Sequence, residues 1–428
     1  MTPPAIEQLH APQAPVTRAP GKGSAIVTLA AGLLVMTALG VGYGWSLFVP
    51  ALIRQYDWTH QQAQTVFGAL IAIYSLTMIG VGPLVSRWGP KPLTLISAGL
   101  FIAGMSMAAA SGGHYLPTLA AIGGLVGVGV GFGYVTALTT CIEWFPNRKG
   151  AIAGLVAAGF GGGPMLMTLT LEPLLTRGMD VLKAFEILAI ANGAALLLGA
   201  LLIRRAAKSP ARHHFAEGAP QPPESPKTIG DTLKKPAFWT LFVGMLADTF
   251  TGFLLIGAIK PMGLAFGFDS ATAAAGVLFL ALGNCAGRFV WGLIADRFHA
   301  RSIPLSLGCL ALAPLSLLMG AHQSAAYYLG ATLTGFCFGA AFSVYPSQIA
   351  SRFGLARVAT LYPLILIAQA MSAILGPPIG GWIIDHWNRY DLLIALAALS
   401  SALGLLIVWI LDAPLRRGRV KAPQSGVA

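Results

Sequence analysis

The stretch GVLFLALGNCAGRFVWGLIA, residues 276–295, consists of apolar and small residues except for Asn284, Cys285 and Arg288. A helix of about 20 apolar residues is about 30 Å long, which matches the hydrocarbon thickness of a bilayer. An arginine at the centre of such a helix costs about 2.5–3.5 kcal/mol on the mildest scale. The stretch therefore predicts a membrane-spanning helix, and it predicts that Arg288 has a partner or a ligand inside the protein.

The composition of the whole chain is that of a membrane protein. Of its 428 residues, 56% are hydrophobic and only 10% are charged. In a soluble domain about 25% of the residues are charged, so this chain cannot cover its surface for water. The net charge of +12 would suggest nucleic acid as a partner of a soluble protein, but here the basic residues lie mainly between apolar runs. We therefore expect a lipid bilayer, and no nucleic acid, around this chain.

Apolar runs recur along the sequence and predict twelve membrane-spanning helices. Their approximate bounds are residues 25–53, 60–86, 93–112, 115–142, 150–176, 182–203, 237–262, 270–295, 302–321, 325–349, 358–384 and 390–411. Residues 204–236, rich in Pro, Lys, Arg and His, are expected to be a linker between two six-helix halves, 25–203 and 237–411. Residues 1–24 are expected to form a disordered tail, and residues 412–428 a second tail.

Lys and Arg are distributed unevenly among the segments between the predicted spans. Most of the 27 basic residues lie in the two tails, in the linker and in the turns after spans two, four, eight and ten. By the positive-inside rule these segments, and therefore both termini, are cytoplasmic. We expect a multi-pass protein of the plasma (inner) membrane.

Two pairs of segments repeat at nearly the same spacing. GPLVSRWGPKP follows the second span and WGLIADRFHARS follows the eighth, and aligning Gly82 with Gly292 gives an offset of 210. EWFPNRKGAIAG after the fourth span matches SRFGLARVATLY after the tenth, with an offset of 208 between Phe145 and Phe353. The agreement predicts duplicated halves. A site between two such halves, near the bilayer midplane, is typical of an alternating-access carrier.

Catalytic and metal-binding patterns are not indicated. The four cysteines, Cys141, Cys285, Cys309 and Cys337, lie in apolar runs without the spacing of metal ligands, so we expect free thiols. The eight histidines also lack such spacing, and no cluster resembles a hydrolytic triad. We therefore expect no metal, no cofactor and no enzyme activity.

The repeated segments resemble the major facilitator superfamily. The Gly-x-x-x-Asp-Arg-x-Gly-Arg-Arg loop of that family is similar to residues 292–301 and, less closely, to residues 82–91, where Ser86 replaces the usual aspartate. The resemblance covers about residues 25–412. It implies an all-α membrane protein with twelve transmembrane helices in two pseudo-symmetric six-helix halves, and it implies transport. We expect the monomer to be the functional unit.

A closer resemblance is to the oxalate–formate antiporter and monocarboxylate transporter branch. GYGWSLFVP, residues 42–50, is similar to its first-helix signature, and residues 127–164 are similar to its signature in the fourth and fifth helices. GRFVWG, residues 287–292, also fits. On this resemblance Arg288 takes the position of the substrate-binding arginine, and Tyr134 takes that of a site tyrosine.

The same resemblance assigns three further positions. Phe338 and Phe342 fall where the oxalate carrier has a site Trp and Tyr, and Gln369 falls where it has its second cationic residue, a lysine. With glutamine at that position, the second positive charge for a second carboxylate is missing. The resemblance therefore implies that a substrate with one carboxylate is preferred.

Asp248 stands deep in the seventh span, at a depth that matches that of Arg288 in the eighth within about a turn and a half. We expect this carboxylate to neutralise Arg288 until a substrate carboxylate displaces it, after which Asp248 takes a proton. Asn284 lies four residues before Arg288, on the same helix face. Animal monocarboxylate carriers of the branch have an aspartate there, and we expect Asn284 to hydrogen-bond the substrate.

Other candidate residues have two interpretations. Tyr43 and Tyr134 either offer hydroxyls to the substrate or pack between helices, and Phe338 and Phe342 either line the site or support it. Lys260, near the outer end of the seventh span, is expected to extend its amine to the membrane interface, with a role in a gate as the alternative.

These residues favour a proton-coupled transporter of small monocarboxylates of the size of lactate and pyruvate. The alternatives are an exchanger of organic anions of the oxalate–formate type and an efflux carrier on the same fold. A membrane sensor, which is a different class of protein, would need a signalling domain, and neither the first tail nor the linker is expected to form one.

Overall fold

In the computed structural model the described residues are 22–145, 148–206, 228–319, 323–354 and 357–413, and within these ranges every regular element is a helix. Most residues of the predicted tails and of the predicted linker lie outside them. We call the helices between residues 22 and 203 the N-terminal half and those between residues 228 and 413 the C-terminal half.

The N-terminal half contains two irregular helical segments inside predicted spans. A 3-10 segment, Gly40–Leu47, continues the first helix, and a π-helical segment, Leu119–Val126, precedes the sixth. The helices are α1 (Lys22–Leu39), α2 (Val49–Tyr56), α3 (His60–Trp88), α4 (Pro90–Ala109), α5 (Tyr115–Thr118), α6 (Gly127–Trp144), α7 (Lys149–Thr176) and α8 (Val181–Leu202).

The C-terminal half is built from long helices interrupted by short ones. They are α9 (Ile229–Leu233), α10 (Pro236–Ile256), α11 (Ile259–Ala265), α12 (Ser270–Phe298), α13 (Ser302–Leu312), α14 (Ser316–Met319), α15 (Ser324–Phe338), α16 (Val344–Phe353), α17 (Val358–Trp387) and α18 (Tyr390–Leu411).

Eleven helical stretches in the described part of the chain are long and apolar enough to cross a membrane. One of them, Ser270–Met319, has 50 residues. A continuous helix of that length would be about 75 Å long, more than twice the thickness of the bilayer core. The stretch instead holds two crossings, α12 and α13–α14, separated by a turn at His299, where φ is 44°. The predicted twelve-helix membrane fold is confirmed.

Polar residues fix the starts of several helices. Thr59 and Gln62 form a capping box at the start of α3, and Asp180 caps α8. Asp269 caps α12 by accepting from the backbone amide of Thr272, and these hydrogen bonds hold the pKa of Asp269 below its usual range. A side chain that accepts from a free amide of the first turn stabilises the helix, so the sequence itself fixes where these helices begin.

The two halves meet where α3 packs against α17 and α7 packs against α12. A Cβ on Gly68 of α3 would lie 2.3 Å from the carbonyl oxygen of Ala373 in α17. A Cβ on Gly161 of α7 would lie 2.5 Å from Sγ of Cys285 in α12. Any larger residue would collide at these points, so glycine permits the close approach of the helices. Arg288, three residues after Cys285, therefore lies at the boundary between the halves.

Candidate functional site

Arg288 of α12 is buried, with 3% of its surface exposed, and it contacts α7 of the other half. Its Nε donates to Oδ1 of Asn284, one turn earlier, and its Nη1 donates to the carbonyl oxygen of Ala157, both at 3.0 Å. Its Nη2 is buried without a hydrogen-bond partner among the described residues. Within the same residues Arg288 also forms no ion pair with an acidic side chain.

Two aromatic rings stabilise the guanidinium of Arg288. Its Cζ lies 4.1 Å from the ring centre of Phe342 and 6.0 Å from that of Phe160. A cation over an aromatic ring gains about 2 kcal/mol when both are desolvated. Phe338 packs edge-on against Phe342, with ring centres 5.5 Å apart. Of the two predicted phenylalanines, Phe342 thus lies against the cation and Phe338 supports it.

Three tyrosines of the N-terminal half surround the ring of Phe160. The ring centres of Tyr43, Tyr134 and Tyr74 lie 5.2, 5.3 and 6.3 Å from it. The hydroxyls of Tyr43 and Tyr74 are 3.2 Å apart and share a hydrogen bond. The structure therefore brings the predicted Tyr43 and Tyr134 to the ring of Phe160, which borders Arg288, and it adds Tyr74.

Gln369 of α17 is fully buried and reaches across the boundary to α3. Its Nε2 donates to the hydroxyl of Tyr74 at 2.8 Å and to Oγ of Ser75 at 3.0 Å. Gln369 is thereby joined to the same group of tyrosines. Tyr74 and Ser75 were not predicted, although a polar pair in the middle of the apolar run IAIYSLTMIG, residues 71–80, was an available signal.

Three polar atoms, on Arg288, Asn284 and Gln369, have no hydrogen-bond partner in the described part of the chain. We call Nη2 of Arg288 and Nδ2 of Asn284 the open donors, and Oε1 of Gln369 the open acceptor. The amide orientation of Asn284 is fixed, because its Oδ1 accepts from an arginine, which can only donate. A buried polar group without a partner costs about 1–3 kcal/mol, and more when it is charged. These three atoms mark the candidate site.

The expected contact between Asp248 and Arg288 does not form. Asp248 is fully buried, and within the described residues its two carboxylate oxygens have neither a hydrogen-bond partner nor a cation. Cys337 and Tyr345, both in the C-terminal half, lie near it. Matching depths fix how far along a helix two residues lie, but they do not fix which way each side chain points. Arg288 turns towards α7, and Asp248 remains within the C-terminal half.

The expected position of Lys260 is wrong. Its side chain does not extend to a membrane interface, because Lys260 is only 3% exposed and its Nζ lies 2.6 Å from Oε2 of Glu172 in α7. Ser270 donates to the other oxygen of Glu172 at 2.7 Å. Glu172 is thus a second buried acid in a predicted span, beside Asp248. Glu172, 4% exposed, was overlooked, although an acid inside the apolar span 150–176 was itself a signal.

Hydrogen bonds between the halves form at least two layers within the described part of the chain. The end layer lies where α3 begins. It contains the Lys260–Glu172 pair, the bond from Nε2 of Gln64 to the carbonyl oxygen of Gly257 at 2.6 Å, and the cap that Asp385 places on the first amides of α3. The middle layer joins Arg288 to α7 and Gln369 to α3. The candidate site thus lies at mid-depth and is closed on the side of the end layer.

The protein has many membrane-crossing helices in two halves, and a buried cation and open donors lie at the boundary between the halves. These features are typical of a membrane transporter. The chain belongs to the Major Facilitator Superfamily, whose family model matches residues 30–362 and 241–427. It is therefore a multi-pass membrane protein of a transporter family.

The relatives of this chain include members of the branch to which the motifs point. The uncharacterized MFS-type transporter YhjX of Escherichia coli is 29% identical over 352 residues, covering 81% of this chain and 85% of the relative. The oxalate:formate antiporter of Oxalobacter formigenes is 26% identical over 399 residues, covering 92% and 93%. Monocarboxylate transporter 1 of Mus musculus is 24% identical over 465 residues, covering 90% and 89%. The resemblance to the oxalate–formate and monocarboxylate branch is confirmed.

Proposed function

We propose that the protein is a secondary active transporter that moves small monocarboxylates, of the size of lactate and pyruvate, together with a proton by alternating access. The observation that carries this proposal is the pair of open donors on Arg288 and Asn284. They belong to side chains that are bonded to each other, and a carboxylate has two oxygens that can accept from both. Hydrogen bonds to charged groups contribute about 1.5–3 kcal/mol each.

The charge at the site supports a substrate with a single carboxylate. In the described part of the chain, buried Lys and Arg side chains are those of Lys260, Arg288 and Arg352, and Arg352 is paired with Asp412. Glu172 already neutralises Lys260, whereas Arg288 has no acidic partner there. Gln369, the side chain that reaches the site from α17, is neutral. One bound carboxylate would therefore balance the positive charge of the site, and a second would exceed it.

Asp248 is the residue to which we assign the proton. An ionised carboxylate without a cation or a donor is very costly to bury, so we assign a proton to Asp248 in this conformation. Since Asp248 does not pair with Arg288, protonation of Asp248 would be coupled to substrate binding through movement of the helices. α10, which carries Asp248, accepts a hydrogen bond from Ser372 of α17 at the carbonyl oxygen of Leu246, at 2.7 Å. α17 also carries Gln369, so movement at Asp248 can reach the site.

The end layer suggests how access would alternate. For the site to open on that side, the Lys260–Glu172 pair and the cap of Asp385 on α3 must separate, while the site must close on the opposite side. From the distribution of Lys and Arg we place both termini in the cytoplasm of a cell with this protein in its plasma (inner) membrane. The end layer then faces outside. Since all site residues come from one chain, we propose that the monomer is functional.

An exchanger of organic anions, of the oxalate–formate type, is the second candidate, and one observation favours it. Arg288 has no acidic counter-charge among the described residues, so a carrier without substrate would have to reorient an uncompensated buried cation. That step is costly, and exchange avoids it because the site is always loaded when it reorients. An efflux carrier on the same fold remains the third candidate, and its substrates would be larger.

Uptake of labelled lactate into proteoliposomes tests these functions. A symporter accumulates lactate when the outside is acidified, even when the vesicles contain no substrate. An exchanger takes up lactate only when an organic anion is present inside, whether or not a pH gradient is imposed. The absence of binding and of uptake of any small monocarboxylate would reject the proposed function. Vesicles with an Arg288→Lys variant provide the control for transport through this site.

A further inference from the structure

The orientation of the Gln369 amide is fixed by Ser75. The hydroxyl of Ser75 donates to the carbonyl oxygen of Ile71 at 2.7 Å, so its single hydrogen is in use. Its oxygen can then only accept, and the group that lies 3.0 Å from it on Gln369 must be the donating Nε2. The open acceptor, Oε1, is therefore directed away from this bond. Since Gln369 is fully buried, that oxygen is not satisfied by bulk water.

The open acceptor belongs to the same site as the open donors. Nε2 of Gln369 binds Tyr74, whose hydroxyl binds Tyr43. The ring of Tyr43 lies 5.2 Å from that of Phe160, and the latter lies 6.0 Å from the Arg288 cation. Gln369 and Arg288 thus border one group of aromatic side chains. The site offers donors from α12 and an acceptor from α17.

We infer that Oε1 of Gln369 accepts a hydrogen bond from a hydroxyl group of the substrate, so that hydroxy-monocarboxylates are preferred to keto and unsubstituted acids of the same size. The inference rests on the proposed function, in which the substrate carboxylate binds the open donors. Lactate presents a carboxylate and a hydroxyl, and so matches two donors and one acceptor. Pyruvate presents a carbonyl oxygen in place of the hydroxyl, and two acceptors repel. Propionate leaves the buried acceptor without a partner.

A purely structural role for Gln369, joining α17 to α3, accounts for Nε2 but not for Oε1. The chain offers a matched comparison at Gln64. That glutamine is also buried, also donates from Nε2 across the boundary between the halves, and also has an Oε1 without a partner among the described residues. It lies in the end layer, away from Arg288. We expect a role in substrate specificity for Gln369 alone, whereas a role in joining the two halves is expected for both glutamines.

Isothermal titration of the purified full-length protein in detergent separates these roles. Lactate, pyruvate and propionate are titrated into the wild type, Gln369→Met and Gln64→Met. For each protein the dissociation constant for propionate is divided by that for lactate, and this ratio is compared among the three proteins. Methionine keeps the length of glutamine and removes the amide. A hydrogen bond between neutral groups changes affinity about two- to tenfold. We expect wild type and Gln64→Met to prefer lactate by that factor, and Gln369→Met to show no preference.

Two results would overturn the inference while leaving the proposed function intact. The first is a wild type that binds all three acids without preferring lactate, which requires no variant to fold. The second is a lactate preference that survives in Gln369→Met, or that is lost equally in Gln64→Met. A wild type that binds none of the three acids overturns the proposed function, and with it the inference.

Discussion

Lys260 Nζ and Glu172 Oε2 lie 2.6 Å apart, and they belong to opposite halves of the protein. Their side chains are 4% and 6% exposed, so neither charge is balanced by water. Lys260 also donates to the carbonyl oxygen of Leu47 at 3.4 Å, at the end of the 3-10 segment that follows α1. The pair therefore ties α11 to α7 and to the segment between α1 and α2. If the end layer opened, the separation of Lys260 from Glu172 would leave two buried charges without a partner.

We predict that removing either member of this pair is costly and that removing both is less so. Loss of one partner from a buried ion pair costs about 3–5 kcal/mol, because the other charge remains buried. Glu172→Gln and Lys260→Met should each lower the melting temperature of the purified protein. The double variant should regain much of the loss.

The exposed pair Lys183–Glu186 provides the control for this cycle. Its side chains are 59% and 48% exposed, and exposed pairs contribute about 0–1 kcal/mol. Lys183→Met should leave the melting temperature nearly unchanged. Additive losses in the Glu172/Lys260 double variant would show that the two charges do not stabilise each other.

Arg288→Lys should abolish tight substrate binding and leave a folded protein. Lysine keeps the charge but loses the planar fork that binds Asn284, Ala157 and a carboxylate together. We expect affinity for lactate to fall by at least about tenfold, since one charged hydrogen bond alone contributes about 1.5–3 kcal/mol. Titration calorimetry and the melting temperature measure the two effects.

The same substitution at Arg352 is the control. Arg352 binds both oxygens of Asp412, at 3.0 and 3.1 Å, and it is not part of the site. Arg352→Lys should lower stability and leave lactate affinity unchanged. Wild-type transport by Arg288→Lys would mean that Arg288 is structural and that the carboxylate binds elsewhere.

Gln369→Lys should shift the preference of the site towards dicarboxylates. It adds a second cation at the boundary between the halves, on the side opposite α12. We expect the affinity for oxalate to rise relative to that for lactate, as measured by competition with labelled lactate in proteoliposomes. Gln64→Lys, in the end layer, adds the same charge away from the site and should not change the ratio. An unchanged ratio in Gln369→Lys would mean that α17 does not face the substrate.

Asp248→Asn should separate the two modes of transport. Asparagine resembles the protonated acid but cannot release a proton, so uptake driven by a pH gradient should be lost while exchange of internal for external substrate continues. Because Asp248 does not neutralise Arg288, lactate affinity should stay within about twofold of the wild type, less than the effect of one neutral hydrogen bond.

Asp391→Asn, at an exposed acid paired with Arg389, is the matched control and should retain both modes. Gradient-driven accumulation by Asp248→Asn at the wild-type level would assign the proton to another group. Equal loss of both modes would indicate a structural role for Asp248.

The membrane fold was predictable from the sequence because hydrophobic length and repeated motifs are local properties. The position of Arg288 was predictable for the same reason, since a charge in an apolar run needs a partner. The sequence does not contain the direction in which each side chain points across the boundary between the halves. This is why Asp248 was assigned to Arg288 and why the partner of Lys260 was missed.

The irregular helical segments were also not predictable from the sequence patterns. The 3-10 segment Gly40–Leu47 and the π-helical segment Leu119–Val126 have the composition of ordinary spans, and only packing distinguishes them. Tyr43 lies within the first of these segments. Its contact with Tyr74 therefore depends on a change of helical pitch that hydrophobic periodicity does not report.

The proton on Asp248 has a consequence for the membrane potential. On the proposed cycle the loaded site is neutral, with the substrate carboxylate beside Arg288 and a proton on Asp248. After both are released, the positive charge of Arg288 and the negative charge of ionised Asp248 sum to zero, so neither reorientation moves net charge through the electric field, in which a full elementary charge experiences about 2.3 kcal/mol per 100 mV. A potential imposed with potassium and valinomycin should therefore leave both net uptake and exchange unchanged. Net uptake that depends on the potential would show that Asp248 keeps its proton when the unloaded site returns, so that the charge of Arg288 crosses the field alone.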